Sequence, residues 1–399
     1  MMFASLRYNM AKKAILKIAP MLPCGTISLT FPEGDTHQFK GKKKGVEAAL
    51  SVVDRNGLLR IIKDGKMGFC EAYMAGEVET NTLVNIIEYA AVNNQIVEDK
   101  LRMNPLSWLF TRLGHIMRRN SKTGSRKNIS YHYDLGNDFY ALWLDQTMTY
   151  SSAVFEDDDM ALADAQNTKY RKLAEMADLQ AGDHVLEIGC GWGGFAEFAA
   201  TEYDVKLTCI TISQEQFDFA TARMAQAGLS DKVEIKLTDY RDLESQSFDK
   251  VVSIEMFEAV GMAYWPVYFN KVSDVLRNGG KAALQVITID DSEFESYRTT
   301  PDFIQKYIFP GGMLPSMEKL SPPIEAAGMK LTEAKGYGLH YAKTLEQWRI
   351  DFIDQWPNIV KSGQFDMKFK RMWELYLAYC EGGFKSGMID VKQMTLTKE

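Results

Sequence analysis

The stretch Val185-Leu186-Glu187-Ile188-Gly189-Cys190-Gly191-Trp192-Gly193-Gly194 decides the fold. A short strand, 184–188, runs into closely spaced glycines and then opens a helix. Glycine lacks a Cβ, so such a turn bends sharply and lets a ligand approach the backbone closely. The pattern is E-x-G-x-G-x-G, with Glu187 just ahead of the first glycine. A phosphate-binding P-loop is excluded, because no Gly-Lys-Ser/Thr follows. A nicotinamide dinucleotide site is disfavoured. The next strand ends in Thr211-Ile212-Ser213 rather than in an acidic residue placed for a ribose.

Working outward, strand patterns recur at 205–212, 233–237, 250–254 and 281–287, with helical segments such as 214–227 and 264–276 between them. Segments near 330–337 and 389–397 complete the set. Alternating strand and helix imply a parallel sheet covered by helices on both faces. The glycine pattern resembles motif I of the class I methyltransferases. That resemblance implies S-adenosylmethionine as cofactor and a Rossmann-like α/β fold with a seven-stranded, mostly parallel sheet. Ligands of such sheets sit at the carboxyl ends of the strands. Thr211 and Gln216 follow the second strand and are placed for the ribose. Asp239-Tyr240-Arg241 follows the third, where the adenine lies, and Glu255 and Glu258 follow the fourth, near the sulfonium.

Further blocks extend the resemblance. Tyr131-His132-Tyr133-Asp134-Leu135-Gly136-Asn137-Asp138-Phe139-Tyr140 and Met148-Thr149-Tyr150-Ser151-Ser152 precede the glycine turn. Thr211-Ile212-Ser213-Gln214-Glu215-Gln216, Asp239-Tyr240-Arg241-Asp242-Leu243, Met256-Phe257-Glu258-Ala259-Val260-Gly261 and Tyr307-Ile308-Phe309-Pro310-Gly311-Gly312 follow it. In this order they resemble the cyclopropane fatty acid synthases and mycolic acid cyclopropane synthases over roughly residues 125 to 395. The resemblance implies methyl transfer to the double bond of an unsaturated acyl chain of a membrane phospholipid, ending in a cyclopropane ring. By motif, Tyr150, Ser151, Glu187, Gly189, Cys190, Gly191, Thr211, Gln216, Asp239, Tyr240 and Arg241 are expected around the cofactor. Tyr133 and Tyr307 are expected along the substrate.

An alkene is a poor nucleophile, and its attack on a sulfonium methyl leaves a carbocation that must lose a proton. The site must therefore accept an apolar chain, stabilise a cation and supply a base. In the family the base is a bound bicarbonate held by a cysteine, a glutamate, a histidine, an isoleucine main chain and a tyrosine. Those positions carry Ser152, Glu258, Gln285, Ile287 and Tyr341 here. Ser and Gln donate hydrogen bonds to an anion, but neither supplies the histidine's charge. The base thus stays open: bicarbonate held differently, Glu258 itself, or another group. The product stays open with it. Loss of a proton from the new methyl gives a ring, and loss of a chain proton gives a methylated alkene. A small-molecule N-methyltransferase and a non-catalytic membrane-binding protein are the competing classes.

The rest of the chain bears on partners. Its 399 residues suggest an N-terminal unit, 1–125, and a catalytic unit, 126–399. No run reaches the roughly 18 apolar residues that a spanning helix needs, and no signal-peptide pattern opens the chain, so the expected location is cytoplasmic. The five cysteines form no CxxC pair and the five histidines have no metal-ligand spacing. Net charge is −7, yet 100–127 carries eight basic residues and no acidic one. Interleaved with Trp108, Leu109 and Phe110, these read as an interfacial amphipathic helix on an anionic membrane surface, or as a linker helix packed on its own domain. Nucleic acid is disfavoured for want of a recognition motif. Family members are often dimers. In the N-terminal unit, 22–62 reads as short strands with turns at Pro32-Glu33-Gly34-Asp35 and Asn56-Gly57, and 81–95 reads as a helix. The aromatics of 340–385 have helical spacing and belong mostly to the core.

Overall fold

The computed structural model describes residues 2–94, 96, 135–244 and 247–398. The basic segment 100–127 and Tyr133 lie outside the described residues. Two sheets organise the chain. The first joins β1 (Cys24–Thr30), β2 (Thr36–Lys40), β3 (Lys43–Val52) and β4 (Val78–Glu79) in the order β2-β1-β3-β4. The second is the expected seven-stranded Rossmann-like sheet. It comprises β5 (His184–Ile188), β6 (Lys206–Thr211), β7 (Val233–Leu237), β8 (Phe248–Ile254), β9 (Leu276–Ile289), β10 (Met329–Gly336) and β11 (Ile389–Lys398), in the order β10-β11-β9-β8-β5-β6-β7.

In the large sheet β5 to β9 pair in parallel, and β11 runs antiparallel to both β9 and β10. Strands covered on both faces need apolar side chains on both. Val185, Leu186, Val251 and Val252 are accordingly fully buried. Strand order reverses between β5 and β8, which opens a crevice at their carboxyl ends. The Ser253 hydroxyl pins that edge by donating to the Ile188 carbonyl at 2.9 Å.

The N-terminal reading needs one correction. Asn56-Gly57 is not a turn between strands; it opens the helix Arg55–Met74. Asp54 caps that helix by accepting from the Asn56 N–H at 2.7 Å. Gly57 is required there by packing, since a Cβ would lie 2.9 Å from the Glu77 backbone. The Pro32–Asp35 turn is present, with the Gly34 N–H donating to the Phe31 carbonyl at 2.8 Å. The helix expected over 81–95 spans Leu83–Val92.

The small sheet shares one apolar core with the helices Gly338–Ile359 and Met367–Lys385. Within it Trp348, Phe352 and Trp373 are buried, as the aromatic spacing predicts. Gly382 sits so close to the helix Leu83–Val92 that a Cβ would meet Ile87 at 2.9 Å. The Arg371 guanidinium fastens the same junction, donating to the carbonyls of Tyr73 and Val78 and pairing with Glu79.

Candidate active site

The glycine turn leaves β5 with Gly189 at φ 83° and Gly191 at φ 53°. L side chains rarely adopt these angles. At Gly189 a Cβ would also lie 2.6 Å from Met256 Cγ, whereas Gly191 faces open space. The Gly189 and Cys190 N–H groups donate to the Ile210 carbonyl on β6, which fixes the turn against the neighbouring strand. Trp192 ties it to the 137–141 segment through a 2.7 Å bond from its indole N–H to Asn137 Oδ1.

A cavity of about 1230 Å³ opens over this turn. All the residues expected around the cofactor line it: Tyr150, Ser151, Glu187, Gly189, Cys190, Gly191, Thr211, Gln216, Asp239, Tyr240 and Arg241. The Thr211 hydroxyl donates to Gln216 Oε1 at 2.8 Å, which holds both side chains at the end of β6. Arg241 folds back on Asp239 with an ion pair of 2.6 Å. Glu187 Oε2 is buried and has no hydrogen-bond partner among the described residues. Burial pushes that carboxyl up to about 7. An acceptor orphaned beside an open glycine cradle fits a ligand that brings N–H or O–H donors, as an adenosyl amino acid does.

The expected base site is arranged around a residue that the family pattern does not supply. Glu255 directly follows β8 with φ 48°, a left-handed conformation that costs a non-glycine residue about 1–3 kcal/mol. Its backbone N–H donates to the Gln285 carbonyl at 2.7 Å. Its carboxylate then receives three donors. The Ser152 N–H and Gln285 Nε2 reach Oε1 at 2.8 and 2.7 Å, and the Tyr341 hydroxyl reaches Oε2 at 2.6 Å. Three of the five positions expected to hold a bicarbonate therefore hold the Glu255 carboxylate. Ser152 does so through its main chain, because its hydroxyl donates to the Ala153 carbonyl. The Gln285 amide is oriented by Gln393, whose Nε2 donates to Gln285 Oε1 at 3.0 Å.

Glu258 stands apart from this ring of donors. Its Oε1 accepts from the Ile287 N–H at 2.5 Å, and its Oε2 has no hydrogen-bond partner among the described residues. Burial, then the nearby Glu255 charge, pushes the Glu258 carboxyl up to about 8. Burial likewise raises Glu255 above the ordinary carboxylate range, against the pull of its Tyr341 and Gln285 hydrogen bonds. Lys169 is fully buried, with its ammonium on the Ser151 hydroxyl at 2.8 Å, and burial pushes it down to about 7.

Glu255, Glu258, Ile287 and Tyr341 line the cavity together with the aromatic faces of Tyr150 and Tyr376, whose hydroxyls meet at 2.6 Å. Tyr307 is not brought to the cavity wall. Its hydroxyl points to the N-terminal unit and donates to Glu71 at 2.9 Å, while Phe303 and Phe309 on either side line the cavity. Sequence reasoning noticed Glu255 by topology without giving it a role, and it missed Lys169 and Tyr376. The available signal was the acidic residue directly after β8, in Ser253-Ile254-Glu255-Met256.

Residues 120–394 match the family model described as mycolic acid cyclopropane synthetase. The chain is 42% identical over 351 residues to a tuberculostearic acid methyltransferase of Mycobacterium tuberculosis, covering 85% of this chain and 81% of that protein. It is 34% identical over 357 residues to the cyclopropane-fatty-acyl-phospholipid synthase of Escherichia coli, covering 88% of each. The fold superposes on the crystal structure of a mycolic acid cyclopropane synthase complexed with SAH and CTAB. There the TM-score is 0.64 and the identity 32%, over 68% of this chain and 98% of the other.

Proposed function

Because the chain belongs to the mycolic acid cyclopropane synthetase family and is an S-adenosylmethionine-dependent methyltransferase, we propose that it methylates the double bond of an unsaturated acyl chain in a membrane phospholipid, with the Glu255 carboxylate as the base. The observation that carries this reading is the triad of donors on Glu255, at the border of a cavity shared with the glycine turn.

S-adenosylmethionine supplies an electrophilic methyl group. Gly189, Gly191, Thr211, Gln216, Asp239 and Glu187 are the residues proposed to hold it. The alkene's π pair forms the new C–C bond as the S–C bond breaks with its electrons on sulfur. The neighbouring chain carbon is left a carbocation. Tyr150 and Tyr376 line the cavity, and their rings are proposed to offer π electron density to that cation. The Glu255 carboxylate then takes a proton, and the C–H electrons close the product. Three donors occupy only part of the roughly four acceptor sites of a carboxylate, so a lone pair remains for the proton. With Ser152, Gln285 and Tyr341 already engaged, no bicarbonate is needed in this scheme.

The proton is proposed to leave the chain carbon beside the cation, which regenerates a double bond and leaves a methyl branch. A carboxylate tethered to its own backbone and held by three donors is proposed to sit against the chain carbon rather than the new methyl. The likeness to the tuberculostearic acid methyltransferase supports this product. The likeness to the cyclopropane-fatty-acyl-phospholipid synthase favours ring closure as the second reading.

Action at a membrane surface belongs to the same proposal. No helix among the described residues is long and apolar enough to cross a membrane. The helix Met2–Ile18 exposes Leu6 and Met10 together with Arg7, Lys13 and Lys17, which suits an anionic interface. The test is incubation with methyl-labelled S-adenosylmethionine and phospholipid vesicles bearing monounsaturated chains. Label in the acyl chain supports the reading. Label only in a soluble amine contradicts it.

A further inference from the structure

The cavity over the glycine turn does not end at the base site. It continues between the helices into the N-terminal unit, where Ile27 and Leu29 of β1, Leu50 of β3, Ile61 of the helix Arg55–Met74, and Ile86 and Ile87 of the helix Leu83–Val92 line it. Two thiols, the buried Cys70 and the half-buried Cys380, are part of this lining. Between them in the lining are Asp302 and Tyr379, whose hydroxyl donates to Asp302 Oδ2 at 3.4 Å. Gly383, between the two units, lines the cavity as well. Glu255, Cys380, Asp302, Cys70 and the residues of the small sheet therefore belong to the lining of one cavity.

The far bay is purely aliphatic on these six positions. Leu29 is 3% exposed, Leu50 9%, Ile61 6% and Ile86 6%, while Ile27 is half-buried. A phosphate headgroup has nothing there to replace its hydration, and leaving it unpaired is costly. Polar lining residues of the same unit are Asp64, Lys66 and Asn94, and the Asn94 amide donates to Glu293 at 2.7 Å, which marks the cavity's polar margin. An apolar bay on the same cavity as the reacting centre suits the methyl-terminal part of an acyl chain better than a headgroup. We propose that the small N-terminal sheet is the receptacle for the segment of the acyl chain beyond the double bond, and that Leu29 and Leu50 set the length of tail the enzyme accepts.

This rests on the acyl-chain reading above and adds to it a direction and a ruler. The chain enters with its carboxyl end toward the cavity's polar margin and its tail in the sheet. Each methylene seated in the bay contributes about 0.8 kcal/mol of burial.

The test uses the full chain and phosphatidylglycerol vesicles carrying cis-monounsaturated chains. The distance from carboxyl to double bond is held constant, and the segment beyond the double bond is lengthened two carbons at a time. Leu50→Trp should lower kcat/KM roughly tenfold for the longest accepted tail, the equivalent of about two lost methylenes, and leave the shortest tail within about twofold. Activity on that short tail, with unchanged S-adenosylmethionine binding, serves as the control for folding. Leu50→Ala should do the opposite and extend the range by about one carbon pair. If neither variant changes the tail-length profile, or if the profile instead follows the carboxyl-side length, the inference is overturned. If no vesicle of any length is labelled by the unaltered enzyme, it is the acyl-chain reading itself that fails. A Leu50→Trp chain that does not fold leaves Leu50→Ala to decide.

Discussion

The Tyr341 hydroxyl donates a 2.6 Å hydrogen bond to Glu255 Oε2, joining the helix Gly338–Ile359 to the residue that directly follows β8. Neutral donors hold the carboxylate from two sides and fix it in place, and burial raises its basicity against the pull of those donors and of Lys169. The backbone at Glu255 accepts an unfavourable φ to put it there. Residues held in such conformations cluster where function over-determines them.

Replacing Glu255 with Gln should preserve most of the hydrogen-bond geometry and remove the base. A positioned general base contributes typically about 10²–10⁴-fold. Turnover on monounsaturated phospholipid should fall by about that factor, while S-adenosylmethionine affinity measured by calorimetry stays within about twofold. Undiminished turnover would remove Glu255 from the mechanism.

Tyr341→Phe removes a donor that favours the ionised form of Glu255. The carboxyl already lies above its ordinary range through burial, so losing the bond raises it further. The base form is the active one, and activity is lost as pH falls through that value. The acid limb of the kcat/KM profile should therefore move to higher pH in the variant, with a rate loss of about tenfold near neutrality. An acid limb that stays in place would show that Tyr341 acts on something other than Glu255.

Glu258 gives a stability signature of definite sign. Its carboxyl is pushed up to about 8 by burial, from 4.5 when free. Between those values the folded state holds a proton that the unfolded state has released. Stability therefore falls as pH rises through this window, by up to a few kcal/mol. Lys169, pushed down to about 7, acts in the opposite sense at higher pH, from about 7 to its ordinary value. Urea unfolding across pH should show a shallower decline in Glu258→Gln than in the unaltered chain. Parallel curves would mean that Glu258 is ionised in the fold.

The turn at 189–194 was legible because its chemistry is local. Glycine spacing after an apolar strand needs no tertiary information, and the seven-stranded sheet follows from the alternation beyond it. The base site was not legible in the same way. Ser152, Gln285, Glu255 and Tyr341 are brought together by β8, β9 and a distant helix, and only their convergence shows whose carboxylate the donors hold. Ser152 illustrates the gap, since the side chain invited the reading but the main-chain N–H makes the contact. Asn56-Gly57 misled for a related reason. Its turn signal is overridden by the Asp54 cap and by the close approach of Glu77.

Gly189→Ala tests the cradle. The substitution forces a side chain into φ 83° and against Met256. Thermal unfolding should show a loss of about 1–3 kcal/mol, and S-adenosylmethionine affinity should fall at least tenfold. Unchanged affinity would place the cofactor away from the turn.

The most direct measurement is the proton spectrum of the product lipid, purified after reaction of a monounsaturated phospholipid with labelled S-adenosylmethionine. The expected product gains the mass of one methylene, keeps an olefinic signal and shows a branch methyl. A product without olefinic protons but with upfield ring-methylene signals would contradict proton loss from the chain, and a lipid that gains no mass would contradict acyl-chain methylation itself.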